Sequence, residues 1–274
     1  MSSTSIQKCN WCHKVGEGMS NCSKCKLVAY CDKSCQIEDW KAGHKILCAK
    51  VPKAVKKAEE KIESFHLGDY TTRNIGTFMV TEAQARRGEI AEENYAQDIC
   101  YDAMEYEQGS TDKLQVILSA LDHFPLSTEA WGMLGHFYQY EVTDDDLKKK
   151  QYSAEALKMY DIAIKCARIL NPTWTDDRSN ELSWGEIENR PYLRSLSGRA
   201  IALKTMGKRK DAIAQAKKIM RLNPGDNQGI RQLLVTWFLE DSDTEGCTNL
   251  LRKYGTKGEN SLAYADVLLQ YIRS

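Results

Sequence analysis

The stretch CNWCHKVGEGMSNCSKCKLVAYCDKSCQIEDWKAGHKILC, residues 9–48, holds eight candidate metal ligands. They are Cys9 and Cys12, Cys22 and Cys25, Cys31 and Cys35, and His44 and Cys48. Two C-x2-C pairs, a C-x3-C pair and an H-x3-C pair make four two-ligand clips, and a tetrahedral structural zinc takes two clips. Two Zn²⁺ ions therefore use every ligand. Zinc accepts mixed thiolate and imidazole ligation and has no redox chemistry, so closed four-ligand sites are scaffolding. Spacing alone does not say which clips share an ion.

Paired cysteines also suit disulfides or a thioredoxin-like redox pair. Against the first, residues Met1 to Lys8 are polar and give no signal-peptide pattern. Against the second, there is no βαβ context, and two such pairs stand beside a downstream His and Cys. At 274 residues, 42% hydrophobic and 28% charged, the chain is long enough for one sizeable core plus a small module. No apolar run reaches the eighteen residues that a membrane-spanning helix needs, and the expected location is cytoplasmic, nuclear or both. The zero net charge hides a split, with residues 1–65 at +5 and the remainder at −5. Metallation deprotonates the seven thiols and lowers the bound module to about +2, which argues against a nucleic-acid footprint.

These residues, with Tyr30 before Cys31 and with Gln36 and Trp40 in the following helix, resemble a MYND zinc finger. The resemblance implies interleaved ligation: Cys9, Cys12, Cys31 and Cys35 on one zinc, and Cys22, Cys25, His44 and Cys48 on the other. It also implies that proline-rich, PxLxP-like peptides bind a groove at Ser23, Gln36 and Trp40. An extended proline-rich ligand has little entropy to lose, and an indole face is a good platform for it. The competing reading places Trp40 in a miniature core with Tyr30 and Leu47. Cys35 to Cys48 reads as one short helix carrying Gln36, Trp40 and His44 on one face. A small β hairpin is expected near Leu27 to Tyr30, and His13 reads as an exposed bystander.

Residues 49–93 read as a linker helix, Pro52 to Phe65, followed by a connector with no helical period. From residue 94 onward a repeat emerges. Trp131, Leu134, Gly135 and Tyr138 reproduce the W-x2-L-G-x2-Y pattern of a tetratricopeptide repeat, and Ala156, Tyr160 and Ala163 continue it. Closing prolines at 125, 172 and 224 set a register of repeats at 94–127, 128–172, 193–226 and 227–260. Packing positions are expected at Tyr101, Ile117 and Ala120; at Ala200, Gly207, Ala212 and Ala216; and at Ile230, Leu233, Leu234, Trp237, Leu250 and Tyr254. Ser261 to Ile272 would cap the array, and Thr173 to Pro191 fits no repeat. The phrase Arg190 to Arg194, with Leu222 to Arg231, resembles tetratricopeptide proteins of unassigned activity, and a weaker similarity is to the suppressor-of-tumorigenicity repeat family. Arg194, Arg199, Lys204, Arg231 and His136 are candidates for a concave binding face.

The expected fold is mainly α: a two-zinc MYND finger at 9–48, a linker at 49–93, and a tetratricopeptide-like helical solenoid at 94–274, with finger and helices unfolding independently. Cys100, Cys166 and Cys247 read as small core residues. The expected function is a zinc-dependent protein-interaction adaptor, the finger taking a proline-rich peptide and the solenoid a second protein. The alternative is a lysine methyltransferase-like enzyme, since MYND fingers also occur in such enzymes. The motifs of a SET domain are missing, and Gly16-Glu17-Gly18, the nearest imitation of a cofactor loop, lies between zinc ligands. An enzyme is therefore not expected.

Overall fold

With few apolar side chains available, the segment before residue 31 forms only two-residue strands. In the computed structural model, which describes residues 7–26, 28–64, 91–141, 146–172, 174, 180–255 and 260–273, β1 (Gln7–Lys8) pairs antiparallel with β2 (Val15–Gly16). Likewise β3 (Ser20–Asn21) pairs with β4 (Ala29–Tyr30), and a parallel bridge from Cys9 to Ala29 ties the two hairpins together. The second hairpin is the one expected; Leu27 itself lies outside the described residues.

The single helix expected from Cys35 to Cys48 is instead broken. Helix α1 (Lys33–Asp39) starts at Asp32, whose carboxylate accepts the Cys35 N–H at 2.8 Å. A widened turn, Trp40–His44, follows, in which Gly43 adopts φ 148°. Only glycine takes that conformation without a steric cost, so the helical path is re-aimed just before His44. Helix α2 (Lys45–Ser64) then runs straight through Pro52 rather than starting there. Pro52 has no N–H, so the Cys48 carbonyl loses its usual partner one turn on. The expected end at Phe65 and the connector beyond it lie outside the described residues.

The remaining helices of the first half are α3 (Ala91–Ala103), α4 (Thr111–His123), α5 (Thr128–His136) with a widened extension Phe137–Glu141, and α6 (Asp146–Leu170). Ser110 and Ser127 cap α4 and α5 through bonds of 3.2 Å from Lys113 N and Ala130 N. Trp131 is fully buried and its indole N–H donates to the Pro125 carbonyl at 2.8 Å, so the proline turn and the helix that follows are locked together. Leu134, Tyr138, Ala156, Tyr160 and Ala163 are buried as their pattern predicts. In α3 the inner positions belong to Ala96, Cys100 and Ala103; Tyr101, expected inside, points to solvent. One residue of α-helix turns 100°, so Cys100 occupies the face that a neighbour must vacate.

Helices α2 to α6 and the finger make one compact unit, which ends at Thr175. The second unit, Asp176–Ser274, contains α7 (Asn189–Thr205), α8 (Arg209–Leu222), α9 (Ile230–Glu240), α10 (Thr244–Tyr254) and α11 (Asn260–Arg273). Ala200, Ala212 and Ala216 are fully buried between α7 and α8, and Gly207 makes the turn at φ 80°. In the next pair Ile230, Leu234 and Trp237 are buried as expected, whereas Leu233, Leu250 and Tyr254 are half-exposed and Val235, Phe238 and Cys247 take the core. Asp226 accepts the N–H groups of Ile230 and Arg231 at 2.7 and 3.0 Å and so caps α9. The last helix buries Leu262, Ala265 and Leu269 and exposes Tyr264 and Val267.

Two contacts in the first unit give measurable consequences. A Cβ on Gly135 would lie 2.7 Å from Cε1 of Tyr160, a ring that is itself buried. Gly135→Ala should therefore lower stability by about 1 kcal/mol in urea unfolding, an overpacking cost of about 2 kcal/mol outweighing a helix-propensity gain of about 1 kcal/mol. An equally stable variant would mean that the ring can retreat. The second contact is Glu141, whose carboxylate is 2% exposed and accepts Gly109 N–H at 2.7 Å, Lys113 Nζ at 2.8 Å and His136 Nδ1 at 3.2 Å. Burial alone would raise its pKa, but the bonds from His136, Lys113 and Gly109 outweigh it and bring it from 4.5 down to about 2. A depressed carboxyl adds stability that is present above the unfolded pKa and lost as the pH falls through the folded one. Glu141→Gln should thus be less stable than wild type at neutral pH, and the difference in urea midpoint should shrink between pH 4.5 and pH 2; a constant difference would show that the charge contributes nothing.

Candidate metal centres and peptide groove

Each zinc clip is placed by a different local device. The turn leaving β1 carries Cys9 and Cys12, with the Cys9 N–H bonded to the Lys14 carbonyl at 2.9 Å. Cys22 and Cys25 sit in the turn between β3 and β4, where Lys26, at φ 60°, donates its N–H back to the Cys22 carbonyl at 2.8 Å. Cys31 precedes α1 and Cys35 lies in its first turn, while the Gly43 kink presents His44 and the first turn of α2 presents Cys48.

These clips converge in two sets. The ligand atoms of Cys9, Cys12, Cys31 and Cys35 all lie within 4.8 Å of one another, as do those of Cys22, Cys25, His44 and Cys48. The interleaved arrangement is the one the family resemblance implies. A tetrahedral zinc with bonds of about 2.3 Å to sulfur and about 2.05 Å to nitrogen separates two sulfurs by about 3.8 Å and a sulfur from a nitrogen by about 3.5 Å. Observed separations are 3.6 Å for Cys12–Cys31, 3.4 Å for Cys31–Cys35, 3.8 Å for Cys22–Cys48 and 3.5 Å for Cys25 Sγ–His44 Nε2. The residues present fit two zinc ions.

Thiol electrostatics lead to the same conclusion. Cys22 is brought down to about 3, chiefly by its hydrogen bond with Cys25 and further by His44, against the opposing effect of burial. Cys48 in the same set is pushed up by burial and by the charge of Cys22. In the other set burial would raise Cys9, but the N–H groups of Cys12, Cys31 and Trp11 bring it to about 7, while the bond with Cys31 and burial push Cys35 up. Crowded thiols cannot all ionise unaided, and a dication resolves the conflict by favouring every thiolate at once.

The two sets differ in their surroundings. All four members of the Cys22 set are buried, whereas Cys12 is exposed and Cys31 half-exposed in the other. Around His44 stand Tyr30 and Trp40, edge-on at 6.1 and 5.9 Å between centroids. Tyr30 is 1% exposed and its O–H donates to Asp39 at 2.5 Å, with Asn10 Nδ2 donating to the same carboxylate at 2.8 Å. Tyr30 is thus the core residue. Trp40 is only half-buried, with the Lys24 amine 5.9 Å above its ring; Gln36 lies one turn away on α1, half-exposed, and Ser23 is exposed beside Lys24. His13, at φ 58°, is exposed and outside both sets.

Sequence reading missed what holds the finger to the helices. Tyr138, read as a packing position, donates its O–H to the Cys25 carbonyl at 3.3 Å. Thr111 Oγ1 donates to Asn10 Oδ1 at 2.6 Å, and Lys26 pairs with Glu155 at 3.8 Å. The finger and α2–α6 therefore pack as one compact unit. The proposed concave cations are mostly occupied: Lys204 pairs with Glu240, Arg231 with Asp226 at 3.7 Å, His136 with Glu141, and Arg199 donates to Gln215 at 3.2 Å. Cys100, Cys166 and Cys247 are fully buried, and burial pushes the Cys166 and Cys247 thiols up.

Residues 9–48 match the MYND finger family. Among curated proteins, 41 residues are 46% identical to ubiquitin carboxyl-terminal hydrolase 19 of Arabidopsis thaliana, covering 15% of this chain and 6% of that protein. Human N-lysine methyltransferase SMYD2 is 44% identical over 41 residues, 15% of this chain and 9% of that protein, and mouse histone-lysine N-methyltransferase Smyd1 39% over 54 residues, 20% and 11%. The likeness thus spans a small fraction of these relatives. No solved structure matches the chain significantly. The chain carries a MYND finger, a zinc-binding protein-interaction module, joined to a helical region.

Because Cys48 belongs to α2 and the Cys25 carbonyl holds Tyr138, loss of the second zinc should reach α2 and Phe137–Glu141, while loss of the first should reach no further than the start of α4, where Thr111 meets Asn10. Native mass spectrometry and hydrogen exchange should show Cys12→Ser losing one zinc with faster exchange confined to residues 7–39 and the first turn of α4, and Cys48→Ser instead exposing amides in α2 and at Phe137–Glu141. Equal exchange patterns in the two variants would refute the asymmetry.

Proposed function

We propose that this protein is a zinc-dependent interaction adaptor, in which the finger binds proline-rich, PxLxP-like peptides at Ser23, Gln36 and Trp40 and the tetratricopeptide-like helices engage a second protein. The observation that carries this reading is the division of labour between two aromatics. Tyr30 is sealed in the core and anchored to Asp39, so the finger has no need of Trp40 as its central apolar residue. A large indole left half-exposed, one turn from a glutamine and beneath a lysine amine, is a surface for a ligand that brings flat, pre-extended apolar groups. Lys24 over the ring enriches the rim with positive charge, which favours peptides flanked by acids.

The methyltransferases and hydrolases share only the finger with this chain, and the reading takes from them the recruiting module and not the chemistry. Linkage of two binding surfaces on one chain raises the effective concentration of one partner at the other, which is what an adaptor supplies. We place it in the cytoplasm, the nucleus or both; among the described residues no helix is long and apolar enough to cross a membrane.

Affinity capture with mass spectrometry from a matching host extract tests the proposal, using wild type and Trp40→Ala after both are shown to bind two zinc ions. Trp40 also touches His44, so the zinc control decides whether the variant is informative. The expected result is loss of a set of proline-motif partners from the variant alone, with about a tenfold or greater drop in affinity for a PxLxP peptide. Unchanged partners would move the binding function away from this groove.

A further inference from the structure

Helix α2 carries a second surface that the finger groove does not use. Its first half, residues 45–57, contains Lys45, Lys50, Lys53, Lys56 and Lys57 and no acidic residue. Lys45, Ile46, Ala49, Lys50 and Lys53 line one side of a shallow cleft of about 570 Å³, and Asp122 of α4 closes the other. Lys50 is held by that aspartate at 3.7 Å and Lys57 by the Asp122 carbonyl at 3.1 Å, so these two amines tie α2 to the end of α4. Lys45 and Lys53 are exposed at either end of the cleft. Between them Ile46 is 66% exposed. A β-branched apolar side chain is thus presented to water inside a ring of cations on a rigid helix.

We propose that this cleft is a docking site for a short acidic peptide in extended conformation, with an apolar residue between two acids. Lys45 and Lys53 are eight positions apart on α2, about 12 Å along its axis. In an extended strand the side chains of residues i and i+4 lie about 13 Å apart and on the same side as that of i+2. Acids at i and i+4 therefore meet Lys45 and Lys53, while an aliphatic residue at i+2 covers Ile46 and Ala49. The pattern is acid-x-apolar-x-acid. Asp122 is paired with Lys50 at 3.7 Å, which offsets part of its repulsion. A nucleic acid fits less well: a phosphodiester would cover Ile46 with charge and strip water from both, and the cleft offers no aromatic face for a base.

Panning random heptapeptides on the zinc-loaded full chain, with Lys45→Glu/Lys53→Glu as the counter-target, tests this directly. All substituted positions are exposed, and the variant keeps both zinc sets. Wild type should enrich acid-x-apolar-x-acid sequences, and a selected peptide measured by fluorescence anisotropy should bind about tenfold or more weakly to the charge-reversed variant and severalfold more weakly to Ile46→Ser. Trp40→Ala should bind it as wild type does, which separates this site from the finger groove whichever of the two fails. The proposal is overturned if no acidic pattern is enriched, if charge reversal leaves affinity unchanged, or if a short DNA duplex binds through Lys45 and Lys53 while the peptides do not. It is equally overturned if sedimentation shows self-association that Ile46→Ser abolishes, because the cleft would then belong to a second copy.

Discussion

Tetrahedral ligation by four clips is the constraint on which the first unit depends. Two ions must each draw one clip from the hairpin region and one from the segment that contains α1, the Gly43 kink and the start of α2. Hairpins two residues long and a seven-residue helix have no stability of their own. Coordination of structural zinc supplies on the order of 10 kcal/mol per ion, enough to hold such pieces together, and it decides their relative positions because ligand separations must agree to within a fraction of an ångström. The broken helix follows from this: an unbroken α-helix would carry His44 onward in register with Gln36 and Trp40, and the turn at Gly43 re-aims the imidazole toward Cys25.

The buried zinc set also joins the finger to the helical region. Its fourth ligand, Cys48, is a residue of α2, and the Cys25 carbonyl beside it accepts the Tyr138 hydroxyl. Tyr138 thereby serves two ends: its ring is buried, and its polar tip satisfies a carbonyl of a metal-binding turn. A buried tyrosine without such a partner would carry an unsatisfied hydroxyl, so the geometry that packs the helices also fixes where the finger sits. The zinc-binding module and helices α3 to α6 then share a single boundary, beyond which the second unit begins at Asp176.

Exposed apolar groups remain where this packing stops. Charges on α7 to α9 that look available in the sequence are taken up internally, Lys204 and Arg209 both reaching Glu240 and Arg231 reaching Asp226. In the finger and on α2 the reverse holds. Trp40 keeps part of its indole in solvent because Tyr30 fills the core, and Ile46 stays exposed because α2 turns its Val51 and Ala58 face inward. Both surfaces combine an apolar centre with lysine neighbours.

Much was legible in the chain itself. Eight ligands at C-x2-C, C-x3-C and H-x3-C spacing can hardly serve anything except two zinc ions, because chelate spacing is a local property of the backbone. The buried positions of the W-x2-L-G-x2-Y helix were equally plain, since small and aromatic residues at helical intervals have one way to pack. The break at Gly43, the passage of α2 through Pro52, the outward turn of Tyr101 and the docking of the finger were not. Each depends on which surfaces meet in space: a glycine can continue a helix or end one, a proline can open a helix or ride inside it, and Tyr138 gives no sign in sequence that its partner lies 113 residues away in a zinc-binding turn. Residue types and spacings determined the metal chemistry and the helical class, and the tertiary structure alone decided which polar groups face each other, because hydrogen bonds and ion pairs across such separations are set by packing and not by local order.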